Sequence, residues 1–388
     1  MSNLHSINHA YSISDFREIA KRKLPKGLFE FIDRGNDDEI AMQENIEALA
    51  RIKLVSRVLT DVSKRNLSIE LLGKQQALPF AIGPTGSAGL TWFEGEIALA
   101  KAAAKLGIPF TLATGSMTAM ERVVSEAGGT LWFQLYLWPD RSLSHQLVRR
   151  ASAAGYDALV FTVDTPVAPG REYNLRNGFV IPFQFTRHNV IDVLKHPGWL
   201  LGVIGKYLSH SGLPKYANFP EHMQTKITAL PMGRSMATNE SMSWEDLKEL
   251  RKIWPRKLIV KGIQHPEDAK LAIHYGADAI VVSNHGGRVL DSSPATIDIL
   301  PRIVEHVNQQ ATILIDGGFR RGSDIIKALA LGADAVLLGR APLYGTASAG
   351  QTGAERVLGL YKNEIDRVLG LIGCQDVNDL NPSYLFTK

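Results

Sequence analysis

A single cysteine, Cys374, rules out a disulfide framework and a cysteine-based metal site, and it suits a reducing compartment. No apolar run reaches the roughly 20 residues that a bilayer crossing requires. Residues 1–24 are polar and mixed in charge, without the apolar core of a secretory signal, so none is expected. Charge of one sign is also scarce. The net charge is +4 over 388 residues, and the basic excess sits beside apolar residues rather than in a long polar stripe, which argues against nucleic acid as a partner. No His, Asp and Glu grouping has metal-ligand spacing, and no serine or cysteine nucleophile motif is present, so no metal is expected.

What the chain does have is a rhythm. Short strand-like runs recur at 79–85, 109–114, 131–136, 158–164, 258–262, 279–284, 312–318 and 335–340. Helical patterns lie between them at 94–106, 143–154, 244–253, 266–275, 295–307 and 322–331, while the connection after Thr114 is shorter and less clear. Parallel strands need crossover helices, and eight of them can close, so the alternation predicts a (β/α)8 TIM barrel. The rival is an open doubly wound sheet, which favours Gly-x-Gly-x-x-Gly after the first strand. That position reads Gly83-Pro84-Thr85-Gly86-Ser87-Ala88-Gly89, a poor match. Ahead of the barrel come N-terminal helices: one from Ser14 with Asp15 and Glu18 in its first turn, one around 28–32, and one from Asn36 toward Ala50. We expect residues 1–388 to form a single domain.

One interval breaks the pattern. About 90 residues separate the fourth and fifth strands, far beyond an ordinary loop. Residues 180–240 are therefore read as an insertion. From Arg187 to Arg234 it carries six Lys or Arg against two Asp or Glu, and 196–208 is apolar with aromatic and lysine edges. Such a segment can lie in the headgroup layer, with Trp199 and Tyr207 at the interface and lysines toward anionic lipid. An active-site lid or a subunit contact is the alternative.

The chemistry gathers at the strand ends, which converge on one face of a barrel. Ser283-Asn284-His285-Gly286-Gly287-Arg288-Val289-Leu290-Asp291 follows the sixth strand. It places a base three residues from a fixed cation, an arrangement that suits proton removal from a small anion. Gln134 and Tyr136 end the third strand; Thr162 and Asp164 end the fourth, with Arg171 soon after. Lys261, Asp316 with Arg320, and Arg340 end the fifth, seventh and eighth. Several cations and one imidazole around one mouth imply an anionic ligand. The glycines of Asp316-Gly317-Gly318-Phe319-Arg320 and Gly339-Arg340 occupy the usual phosphate loops of this fold.

These residues, with Leu24-Pro25-Lys26, Gly83-Pro84-Thr85-Gly86, Gln134-Leu135-Tyr136, Thr162-Val163-Asp164-Thr165-Pro166, Lys261-Gly262 and Asp316-Gly317-Gly318, make the chain resemble the FMN-dependent L-2-hydroxy acid dehydrogenases and oxidases. The likeness runs from Tyr11 to Leu385 and is strongest toward the membrane-associated (S)-mandelate dehydrogenases. The resemblance implies FMN, held by Pro84, Thr85, Gly86, Ala113, Gln134, Thr162, Lys261, Ser283, Asp316, Gly317, Gly318, Arg320, Gly339 and Arg340. It implies His285 as the base, Asp164 as its stabiliser, Lys261 beside the flavin, and Arg171, Arg288 and Tyr136 on the substrate. The expected reaction is oxidation of an L-2-hydroxy acid, mandelate or a similar aromatic acid, with a quinone as electron acceptor. The expected location is the cytoplasmic face of the membrane as a peripheral protein, or otherwise the cytoplasm, and the family's habit is a tetramer. Alternatives are a soluble oxidase producing hydrogen peroxide, an L-lactate dehydrogenase, or a flavin binder without turnover. Two positions depart from the family pattern. Phe31 stands where a substrate-binding tyrosine is usual, a loss of about 0.5–1.5 kcal/mol for a typical hydrogen bond. Ala113 replaces a flavin-contacting serine, with Thr114 adjacent as a substitute.

Overall fold

The computed structural model describes residues 7–179, 186–224 and 239–386. Eight parallel strands close into a barrel: β1 (Phe80–Ile82), β2 (Phe110–Ala113), β3 (Leu131–Leu135), β4 (Ala158–Thr162), β5 (Lys257–Ile263), β6 (Ala279–Val282), β7 (Thr312–Ile315) and β8 (Ala335–Leu338). The strands pair in chain order, and β8 closes onto β1 through Val336 opposite Phe80. Each strand is buried on both faces, as β6 is at all four positions, because side chains fill the barrel interior and helices cover its outside. The eight expected strands are the eight observed.

Three N-terminal helices precede the barrel: α1 (Ile13–Lys23), α2 (Lys26–Asp33) and α3 (Ile40–Arg51). Ser12 and Asp15 form a capping box that starts α1, while Glu18 falls beyond the first turn. Elsewhere the helices adjust the reading. Met120–Ala127 fills the unclear connection after Thr114. Two short strands, Ile69–Leu71 and Lys74–Gln76, pair antiparallel before the barrel and were too short to register as a pattern. A long helix also follows β8, Arg340–Ile372, kinked at Ala349 and Gly350; its glycines disguised the periodicity.

Two further helices follow β4: α4 (Glu172–Asn177), just ahead of the expected insertion, and α5 (Arg187–Leu194), within it; helical turns continue from Pro197 to His210. Of the expected insertion, 180–185 and 225–238 lie outside the described residues. The two interfacial aromatics are corrected here. Trp199 donates its indole N–H to the Leu90 carbonyl at 2.7 Å, and Tyr207 is buried edge-on against Phe93. Both anchor the segment to the barrel. Its outward residues are Ile191, Leu194, Leu201 and Leu208, with Leu201 70% exposed. Among the described residues no helix is long and apolar enough to cross a membrane.

Candidate active site

The loop after β6 is built by backbone conformation. His285, Gly286 and Gly287 all have positive φ (57°, 65° and 72°), a run that turns the chain sharply at the strand end. A side chain on Gly287 would overlap the backbone of Met42 in α3, so this position needs glycine. Asn284 locks the turn. Its amide oxygen accepts from the Gly287 N–H at 3.2 Å and from Asn45 Nδ2 of α3 at 2.9 Å, and its Nδ2 donates to the Pro294 carbonyl. The strained turn aims His285 into the barrel mouth.

There His285 Nδ1 lies 2.9 Å from Asp164 Oδ1, and Nε2 lies 3.5 Å from the Tyr136 hydroxyl. Burial lowers the pKa of His285 below its ordinary value despite the Asp164 carboxylate, so the ring rests neutral with a free lone pair. Asp164 is held below the usual carboxylate range. Desolvation opposes its charge, but its interaction with His285, hydrogen bond included, and the charge of Lys261 outweigh it. Its other oxygen is buried with no partner among the described residues. Tyr136 is pushed up by desolvation and by Asp164, which keeps it a donor.

Lys261 is buried and lies 3.0 Å from Asp316 Oδ2, with Ser283 Oγ at 2.9 Å. Burial disfavours its charge; Asp316 and Asp164 more than offset that and raise its pKa. Among the described residues Arg288 and Arg340 have no carboxylate in ion-pair contact. Arg288 donates to the carbonyls of Phe31 and Arg34 at 2.8 and 2.6 Å; Arg340 donates to those of Asp33, Arg34 and Gly286. Loss of water pushes both down to about 10, aided by mutual repulsion with neighbouring arginines. They stay charged at neutral pH. Arg171 lines the same cavity, its Nε buried with no partner among the described residues. The Phe31 ring sits between Arg171 and Arg288, 5.9 and 5.6 Å from their guanidinium carbons.

The cavity these groups share has a volume of about 820 Å³. Pro84, Thr85, Gly86, Ala113 and Gln134 line its flank, Lys261 its floor, and Gly317, Gly318, Arg320, Gly339 and Arg340 its cationic end. Three expected residues lie behind this wall: Thr162 accepts from Gln134 Nε2 at 3.0 Å, Ser283 touches Lys261, and Asp164 stands behind His285. Thr114, the adjacent hydroxyl, is already engaged, donating to the Gln134 carbonyl at 2.6 Å and accepting from Tyr136 N–H. Sequence reasoning missed Tyr216 and Phe219. They stack at 4.8 Å on the returning insertion and line the cavity, and no motif marked them.

A family model described as FMN-dependent dehydrogenase matches residues 20–387. The chain belongs to the FMN-dependent dehydrogenase family. It is 42% identical to an (S)-mandelate dehydrogenase of Pseudomonas putida, covering 97% of this chain and 93% of that protein. It is 41% identical to an L-lactate oxidase of Nostoc, covering 98% and 99%. A crystal structure described as monotopic membrane protein (S)-mandelate dehydrogenase superposes with a TM-score of 0.92 at 42% identity, over 98% of this chain and all of that one. The protein is therefore an FMN-dependent oxidoreductase with the barrel expected of it. The cavity fits that cofactor. A cationic end beside glycines suits a phosphate, a flank of small residues (Pro84, Gly86, Ala113) leaves room for a ring, and a buried ammonium suits a ring that gains negative charge.

Proposed function

We propose that the protein oxidises an L-2-hydroxy acid bearing an aromatic group, mandelate or a close relative, to the 2-oxo acid and passes the electrons to a membrane quinone. The observation that carries this reading is the imidazole of His285, held by Asp164 and facing a cavity edged by Arg171 and Arg288. The two arginines grip the substrate carboxylate, and the forked guanidinium geometry fixes its orientation. His285 Nε2 takes a proton from the carbinol group, and Asp164 stabilises the imidazolium that forms. The Tyr136 hydroxyl hydrogen-bonds the substrate oxygen. FMN, when bound, would supply the acceptor for the two electrons and the second carbinol hydrogen, the first having gone to His285 as a proton. Arg320, Arg340, Gly317, Gly318, Gly339 and Asp316 would hold its phosphate and ribityl chain. Pro84, Thr85, Gly86 and Ala113 would lie along its ring, and Gln134, supported by Thr162, would bond its polar edge. Lys261, oriented by Ser283, favours negative charge on the ring.

An aromatic substrate is supported by the apolar wall of Phe31, Tyr216 and Phe219. Phe31 lacks the hydroxyl that would help anchor a small acid. A membrane acceptor is supported by the exposed Ile191, Leu194, Leu201 and Leu208, with Lys195 and Lys206 beside them. This reading puts the chain on the cytoplasmic face of the membrane; the family's habit makes it a tetramer, which sedimentation in detergent tests. A soluble oxidase or a lactate-specific enzyme would use the same cavity.

The test is the visible spectrum of the purified holoprotein without oxygen, before and after (S)-mandelate. A yellow protein that bleaches supports the reading, and faster reoxidation by a quinone than by air supports the acceptor. Bleaching by L-lactate alone would move the substrate, and rapid peroxide formation would favour the oxidase. Colourless protein that takes up no FMN would defeat the reading.

A further inference from the structure

Helix α2 is gripped at both ends. Its N-cap, Pro25, offers no side-chain cap, and the first helical N–H, on Lys26, donates instead to Asp192 Oδ2 at 2.7 Å. Asp192 belongs to α5, in the insertion. A carboxylate there satisfies an orphan donor and matches the positive end of the helix dipole. At the other end, the carbonyls of Phe31, Asp33 and Arg34 receive four of the five hydrogen bonds made by the Arg288 and Arg340 guanidiniums. Glu30, midway, accepts from Asn177 Nδ2 at 2.7 Å, which braces α4 just after Arg171. The Asp33 carboxylate is itself fixed by Arg17 and by the Tyr344 hydroxyl. An eight-residue helix thus links the insertion to the cationic edge of the cavity.

We infer that Asp192 is a positioning residue for substrate binding: by seating α2 it holds Arg288, and through α4 Arg171, at the spacing a carboxylate requires. The insertion is then part of the anion site as well as a surface segment. The inference rests on the proposed role of Arg288, and neither Asp192 nor Lys26 lines the cavity around His285. What Asp192 contributes is the seating of a helix whose carbonyls are the only hydrogen-bond partners the described structure gives the Arg288 guanidinium.

The experiment uses holoenzyme and oxalate, a dianion with no Cα–H to lose, read as a perturbation of the flavin absorbance. D192A should raise the oxalate Kd and the mandelate KM about five-fold, the capping energy lost from α2 being carried to the anion site, with kcat within two-fold of the parent. D192N should stay near the parent, because its amide oxygen still accepts from Lys26 N–H. K26P removes the donor at a helix position proline suits and should give the D192A shift. The double variant should be no worse than either single one. Hydrogen exchange should quicken at the amides of 26–34 in D192A, a readout independent of turnover. Unchanged oxalate affinity in folded D192A and K26P, or unchanged exchange in α2, would overturn the inference. If instead R288M binds oxalate as well as the parent does, the reading of Arg288 itself fails.

Discussion

The loop after β6 and the insertion after β4 border the same cavity but are built on opposite principles. In the loop almost every atom is committed: three consecutive positive φ angles, a glycine pressed against α3, and Asn284 bonded on both ends of its amide. The insertion holds on through a few anchors. Trp199 reaches the Leu90 carbonyl, Asn218 bonds Ser116 and Thr118, and Asp192 caps α2, while its leucines face outward. On the proposed mechanism the loop carries the base, a role that tolerates little displacement. The insertion needs only to keep its inner side seated, so its outer side is free to meet something else.

If that contrast is right, the largest effects belong to the loop and its carboxylate. H285Q should lower kcat at least about a thousand-fold, within the range of lost general-base catalysis, while the protein keeps its FMN and its melting temperature; stopped-flow bleaching by (S)-mandelate measures it. D164N should lower kcat about a hundred-fold, because the imidazolium formed at His285 loses its neighbouring charge. The pH profile supplies the sign. Burial already sets the pKa of His285 below 6.5, so kcat/KM in the parent should fall only below pH 6.5, as the base becomes protonated. Asp164 raises that pKa, so its removal should shift the acid limb to still lower pH. A limb that moves upward in D164N would contradict the assignment of the pair.

A smaller effect is expected at the boundary between the two regions, at Phe31. Its ring is packed against Phe179 at 5.5 Å and between two arginines, so F31Y adds a hydroxyl beside the proposed carboxylate site. The preference for L-lactate over mandelate, as a ratio of kcat/KM, should rise by about ten-fold or less, the worth of one typical hydrogen bond. An unchanged ratio would mean that the carboxylate does not reach the ring edge.

The same contrast explains what could be read from the chain alone. His285, Arg288, Asp316 and Gly317 are legible because strand ends in a barrel converge and because each position there requires one residue type. Tyr216 and Phe219 were not legible. Their contribution is apolar surface, which many residues supply, and their place depends on how a long segment folds back. Trp199 and Tyr207 were misplaced for a related reason. Amphipathic aromatics suit a membrane interface and a packed anchor equally well, and only the Leu90 carbonyl and the Phe93 ring decide between them. The helix from Arg340 to Ile372 was hidden because Gly345 and Gly353 serve close packing against one another at the expense of helix propensity.

The smallest catalytic effect should come from the outermost residues. Leu201 and Leu208 are 70% and 59% exposed, and neither lines the cavity. The paired substitution L201D/L208D puts two carboxylates where apolar side chains now meet solvent. Each buried leucine contributes about 1.5–3 kcal/mol when it leaves water, so losing two of them, with added repulsion from anionic lipid, should release the protein from vesicles of anionic phospholipid in a flotation assay. Turnover of mandelate with a water-soluble dye should stay within two-fold, because Trp199, Asn218 and Asp192 still seat the inner side. Turnover with a long-chain quinone in those vesicles should fall together with binding. Should flotation persist, the outward leucines are not the membrane contact; should dye turnover collapse as well, the inner and outer sides of the insertion are not independent, and the contrast between committed loop and anchored segment does not hold.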